Sequence, residues 1–455
     1  MVDITARVAR YASTVGIDSF PEEAFERAKD VLLDSLGGQL ACTTLRHGRL
    51  AIDYAREHTG PNEATVVGTD FMTSAEQAAF VNGIQGHGDE LDEVLHLFGH
   101  ASAVIVPGVL AAAERERTNG RSMLAALIVG YDVAGRLGRS GFNLEVLSPR
   151  NFTKETVAGP LAVAAALAGL LHLDEQKTCA ALGLAAEQSS GLQAKKFESE
   201  HMNKSAHMGI AARNGVAAAY LARHGYGGVF DIFDSPNSIF RAFADGQNDP
   251  TQMVVEFGER FEILLTGFKR FAAGRPMHCA IDGLLTIMNR EGVTPVDISA
   301  IHVAMTILQH GLLTENPTLN VNIEYILAAA ALRGRVTWDE FGEGITSDPV
   351  FQDLWSKVTS SGDAELDEIR ASHIGSGPAR VTLTLNDGRA FSEQVVYPPG
   401  TPQNPITRDE LGAKFLHYAA KAVPEGQARH LASLIMNIER IDDVNELGEA
   451  LRVKG

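Results

Sequence analysis

The chain has 455 residues, 45% of them hydrophobic, which is enough for a large core and for two domains. Its 57 acidic residues against 39 basic ones give a formal net charge of −18. That balance excludes a nucleic-acid footprint, which needs a concentrated Lys/Arg surface, and it obliges any anionic ligand to find locally placed cations.

The N-terminus, MVDITARVARYAST, has no apolar signal core, and no stretch approaches the roughly 18 uninterrupted apolar residues of a membrane helix. The expectation is a cytoplasmic protein with neither membrane nor nucleic acid as a partner. From residue 1 to 267 the pattern is helical, with apolar residues at 3.6 spacing over 25–41, 122–138 and 159–171. Several segments are apolar nearly all round, so they are expected to be buried by other helices in a large all-helical domain. Cys42, Cys179 and Cys279 lie far apart with no CxxC pair, which signals neither a disulfide framework nor an iron–sulfur cluster.

Within this region GHGDELDEVLHLFGH (86–100) packs four carboxylates and three histidines into fifteen positions. Read as one helix, it aligns Asp89, Glu93, His96 and His100 on a single face. Gly86, Gly88 and Gly99 point equally to an irregular loop between two helices, where catalytic groups tend to sit. Three uses remain open at this stage. A metal site would draw on His87, Glu90, Asp92 and His96, although no HExxH or other familiar zinc spacing is present. A solvated acidic loop is the second. Acid/base chemistry is the third, because carboxylates and imidazoles held together spread their pKa values around neutrality.

Three further stretches carry candidate anion clamps. PRNFTKET (149–156) sets Arg150, Thr153 and Lys154 before a helix, and HMNKSAHMG (201–209) sets Lys204 and His207 at the mouth of a small-residue helix. GFKRFAAGRPMHCAIDG (267–283) gathers Lys269, Arg270, Arg275 and His278 where the composition changes. From 268 to 400 the sequence reads as an α+β domain. Residues 298–307 and 379–398 alternate with period two, the second through an NDG hairpin signal, and 320–334 and 348–358 read as helices in a domain of about four strands. His310, just beyond the first of these strands, is a further candidate for substrate binding. After the Pro-rich segment 397–405, residues 407–423 and 426–452 are helical again, and 401–455 is expected to complete the first domain.

AAFVNGIQGHGDELDE followed by HASAVIVPGVLAAAE, then NKSAHMGIAARNGVAAAYLARHGYGG, then FKRFAAGRPMHCAIDG, in this order, resemble the MmgE/PrpD family across essentially the whole chain. That family includes 2-methylcitrate dehydratase, cis-aconitate decarboxylase and iminodisuccinate epimerase. The resemblance implies a mostly α fold, with a large helical domain and a smaller α+β lid. It also implies a homodimer, a basic cleft between the domains that takes a small di- or tricarboxylate, and no metal or other cofactor.

Carried over by position, the family's acidic motif lands on His87, Glu90, Leu91, Asp92 and Glu93, with Glu90 at a catalytic aspartate. Its next histidine lands on His100, and its lysines on Lys204, with His207 following, and on Lys269. The implied catalytic set is therefore His100, Glu90, Asp92, Lys204 and Lys269. The substrate-binding candidates are His87, His96, Thr153, His207, Arg270, Arg275, His278 and His310. Three positions that are polar in decarboxylase-like members are Val94, Thr153 and Gly274 here, where the family has Thr, His and His. A pocket that loses such groups is expected to bind the same tricarboxylate less well, at about 1–3 kcal/mol per lost contact. The expected activity is therefore acid/base chemistry at a carbon α to a carboxylate. The leading form is a 2-methylcitrate dehydratase-like lyase, with an epimerase or a non-catalytic carboxylate binder as alternatives.

Overall fold

The computed structural model describes residues 3–194, 198, 200, 202–373 and 375–453. The Ala- and Gly-rich runs form the helices Glu22–Cys42, Ala75–Gly86, Ser102–Glu116, Gly120–Arg139, Lys154–Leu170 and Met202–Arg223. The helices expected over 25–41, 122–138 and 159–171 fall within these to one residue. Side-chain caps start several of them: Ser74 accepts from the Gln77 amide and Asn119 from that of Ser122. Lys154–Leu170 is buried along almost its whole length, as an all-round apolar helix must be.

Small residues decide how closely these helices approach, and one crossing places the site. A Cβ on Gly83 would lie 2.7 Å from the Gly209 Cα, so Ala75–Gly86 and Met202–Arg223 cross in backbone contact. That contact brings the start of the second helix, with Lys204, to the segment leaving the first. There the Ser205 hydroxyl donates to the His87 carbonyl at 3.3 Å. An alanine at Gly83 would force the helices apart, an overpacking cost of about 1–3 kcal/mol.

A second core gathers residues between Phe271 and Leu385. Its sheet runs, in spatial order, Val358–Gly362, Ile298–Met305, Ala379–Leu385 and Ala390–Val395; the first pair is parallel and the others antiparallel. Ala379–Leu385 alternates strictly between buried and half-buried residues, and its buried face packs under helix His278–Glu291, which in turn packs on Ile323–Arg333. The hairpin at 386–388 has Gly388 at φ 88°, as the NDG signal implies.

Two elements differ from those expected. The helix read over 348–358 ends at Ser356, and Val358 begins the parallel edge strand. Its sequence, VTSSG, pairs on one side only and shows no apolar alternation to announce a strand. The helix read over 426–452 is broken into Glu425–Met436, a 3-10 turn Ile438–Arg440 and Asn445–Leu451. The break serves docking: the Gly120 amide donates to the Ile441 carbonyl, and the Val444 amide to that of Thr118.

Leu411, Phe415, Leu431, Ile435, Leu447 and Leu451 share one core with the N-terminal helices. A two-residue pairing, Val94–Leu95 with Thr266–Gly267, ties the acidic segment to the junction where the second core begins. Cys42, Cys179 and Cys279 are free and buried, Cys42 with its sulfur 3.2 Å from His47 Nε2. Among the described residues no helix is long and apolar enough to cross a membrane.

Candidate active site

Residues 87–101 form an irregular loop between helices Ala75–Gly86 and Ser102–Glu116, interrupted only by Val94–Leu95. The single-helix alternative is overturned by the backbone. Asp89, Glu90 and Leu97 have φ of 41°, 64° and 64°, and Gly99 has 104°. Left-handed backbone costs an L-residue about 1–2 kcal/mol, so consecutive Asp89 and Glu90 store strain at the point where the chain turns its carboxylates inward. Gly99 has a second reason to lack a side chain, since a Cβ there would run into Lys154 and Glu155.

The turn produces two buried carboxylates with complementary partners. Asp92 takes an imidazole on each oxygen, His87 Nδ1 at 2.9 Å and His100 Nδ1 at 2.8 Å. Glu90 takes an ammonium on each oxygen, Lys204 on Oε1 and Lys269 on Oε2 at 2.5 Å. The sets are linked, since His87 Nε2 stands 3.6 Å from Glu90 and Lys269 Nζ 3.8 Å from Asp92. His87, Asp92 and His100 are of metal-ligating type and lie close enough to share an ion. As they stand, both Nδ1 atoms are engaged on the one carboxylate.

Electrostatics assigns the protonation states. Burial raises the Asp92 carboxyl, but the ring N–H groups of His100 and His87 that point at it and the Lys269 ammonium outweigh burial and hold the group well below the usual carboxylate range. Burial pushes His100 down to about 3 against the opposing pull of Asp92. Asp92 is thus an anion and His100 a neutral imidazole that donates from Nδ1, leaving its Nε2 lone pair as a base.

His100 and Glu90 line a cavity of about 330 Å³ between the two cores. Four cations line it too: Lys154 and Lys204 from the helical part, Arg275 and Arg370 from the α+β part. Arg370 also donates to Glu145 at 2.9 Å across the cleft, and Arg275 to the Gly375 carbonyl at 2.8 Å. In a protein of net charge −18 this concentration of positive charge suits a ligand with more than one carboxylate.

The structure brings only part of the expected set to this cavity. Lys269 is buried behind Glu90 rather than on the wall. His87 lies in the layer beneath. His96 faces the adjoining cleft beside Arg139, Arg275 and Arg370, and burial lowers it to about 4. Thr153 is buried as the residue before Lys154–Leu170, its hydroxyl on that of Thr156. His278 is buried with Nε2 on the Ala273 carbonyl at 3.1 Å. Arg270 is half exposed and pairs with Asp282 and Glu410. His207 and His310 stand one turn and one residue from the wall residues Lys204 and Gln309 and do not line the cavity. Sequence reading missed Arg370, Gln309 and Glu198, which do.

Glu93 turns away from the cavity. Its Oε1 accepts from Tyr131 at 2.6 Å and from the Ser102 amide at 2.5 Å, so it caps the helix that follows His100. Burial raises this carboxyl to about 8, against the lowering effect of those two hydrogen bonds. In the unfolded chain it ionises near 4.3. Its stability contribution is therefore full below that pH and is lost as pH rises through about 8. Glu93→Gln keeps Oε1 as the acceptor of both hydrogen bonds and removes the titration. Urea unfolding at pH 5 and pH 9 should show the variant losing roughly 3–5 kcal/mol less than the parent across that interval.

Residues 6–252 match the MmgE/PrpD N-terminal domain and residues 271–440 the MmgE/PrpD C-terminal domain. The chain is 28% identical to the cis-aconitate decarboxylase-like protein oryM of Aspergillus oryzae, over 98% of this chain and 96% of the relative. It is 24% identical to the cis-aconitate decarboxylase of Homo sapiens, over 99% and 94%. It is 25% identical to the 2-methylcitrate dehydratase of Cupriavidus necator, over 98% and 95%. With both domains matched in order over most of its length, the protein belongs to the MmgE/PrpD family.

Proposed function

We propose that the protein is an acid/base lyase that removes a proton α to a carboxylate of a small tricarboxylate and expels a β-hydroxyl as water, in the manner of a 2-methylcitrate dehydratase. The observation that carries this reading is His100, a neutral imidazole held through Nδ1 by the Asp92 anion, on the wall of a cavity lined by four cations.

In this scheme His100 Nε2 takes the α-proton, and the C–H electron pair becomes the new C=C bond. The β C–O bond breaks, and the oxygen leaves as water with a proton from the Lys204 ammonium, which Glu90 orients. Lys154, Arg275 and Arg370 hold the carboxylates, and the same cations offset the negative charge that builds on the α-carboxylate as the proton departs. Dehydration is preferred to decarboxylation because Val94 and Gly274 both line the cavity, at positions where the family resemblance implies a hydroxyl and an imidazole in decarboxylase-like members. The full-length relatives carry names of both activities.

Proton NMR of the purified protein with citrate, 2-methylcitrate, 2-propylcitrate, 2-hexylcitrate, cis-aconitate and iminodisuccinate tests the reading. The expected result is an alkene from a hydroxy-tricarboxylate with loss of one water. An itaconate-type product from cis-aconitate would replace dehydration by decarboxylation, and a diastereomer of iminodisuccinate by epimerisation. No change in any member would remove the acid/base reading.

A further inference from the structure

The cations occupy only part of the cavity. Leu312, Leu313 and Val321, all from the 312–321 stretch of the α+β part, form an apolar wall that Val94 and Leu144 continue on the helical side. None of these side chains has work to do on a carboxylate. Gly274 explains why the wall is available. Its φ of −54° is open to any residue, so conformation does not demand glycine there. Space does: a Cβ at 274 would lie 2.8 Å from Val321 Cγ1. The absent side chain leaves Val321 on the cavity surface, in the same pocket as the methyl groups of Val94.

We propose that the substrate is a polycarboxylate carrying an alkyl branch longer than methyl, its carboxylates on Lys154, Lys204, Arg275 and Arg370 and its chain against Leu312, Leu313, Val321 and Val94. This names the substrate class of the site described above and rests on that reading for the chemistry, but its binding consequence is independent of turnover. Each methylene transferred from water to an apolar wall improves affinity about fourfold, and burial of apolar area gives a negative heat-capacity change on binding.

Calorimetry with succinate and its 2-methyl, 2-propyl and 2-hexyl derivatives tests the proposal without requiring catalysis. The expected result is a Kd that falls about fourfold per methylene until the wall is covered, with a progressively more negative heat-capacity change. Leu312→Asn should flatten this dependence, and the isosteric Val321→Thr should weaken it in the same direction should the first variant fold poorly. A Kd flat or rising with chain length would overturn the alkyl proposal, as would absence of binding by every member. The alkyl dependence in a protein that is silent in the NMR panel would instead leave the wall in place and remove the lyase reading alone.

Discussion

His100→Asn is expected to lower kcat/KM by about 10²–10⁴, the range over which a positioned general base contributes, while leaving the fold intact. The ring is only 12% exposed, and asparagine can retain a hydrogen bond to Asp92, so the thermal midpoint should move little. If the cations hold the substrate carboxylates as proposed, KM should change far less than kcat. Asp92→Asn should reduce kcat strongly as well, although Asp92 touches no substrate, because it sets which nitrogen of His100 carries the proton. The pH profile distinguishes this arrangement from an ordinary histidine. With His100 lowered to about 3, the acid limb of kcat/KM from this base should lie well below the usual 6.5 of a free imidazole. Steady-state rates between pH 4 and 8 check it.

Lys269→Met is expected to be the most destabilising of the site substitutions, at about 3–5 kcal/mol. Lys269 is 1% exposed and places its ammonium 2.5 Å from Glu90 and 3.8 Å from Asp92. Methionine fills much the same volume but leaves two buried carboxylates with one cation fewer. Urea unfolding of Lys269→Met, Glu90→Gln and the double variant measures the pair directly. The double variant should recover part of the loss, with a coupling energy of about 1–3 kcal/mol. Independent, additive losses would show that Lys269 does not hold Glu90.

Much of this centre is legible in the sequence because its chemistry is local. His87, Glu90, Asp92 and His100 lie in one short loop between two strongly periodic helices, and the glycines that bound it mark it as a turn. Lys204 is legible for a different reason: the small residues of Met202–Arg223 announce a close crossing, and Gly209 against Gly83 delivers Lys204 to that loop. The α+β character after residue 268 follows from period-two alternation in 298–307 and 379–398, which the two central strands occupy.

What the sequence does not carry is long-range. Arg370 sits on Ala364–Ser372, whose other charges are ordinary surface groups; only the closure of the second domain over the loop makes it a wall residue. The cluster 269–278 reads as a set of clamps, yet the pairing of Val94 with Gly267 draws Lys269 behind Glu90. The next turn then sends Arg270 to Asp282 and Glu410, and His278 to a backbone carbonyl. Residue type alone cannot say which cation of a cluster points inward. The edge strand Val358–Gly362 escapes detection because an unpaired polar edge has no apolar face to announce it.

Removal of a proton α to a carboxylate by His100 is read out by isotope exchange. The substrate or product identified by NMR is incubated in D₂O with the parent protein and with His100→Asn, and deuterium at the α-carbon is followed by mass spectrometry. Incorporation by the parent at or above the rate of product formation, and its loss in His100→Asn protein that still binds the ligand, is the predicted result. Incorporation by the variant at the parent rate would rule out His100 and place the base elsewhere in the cavity.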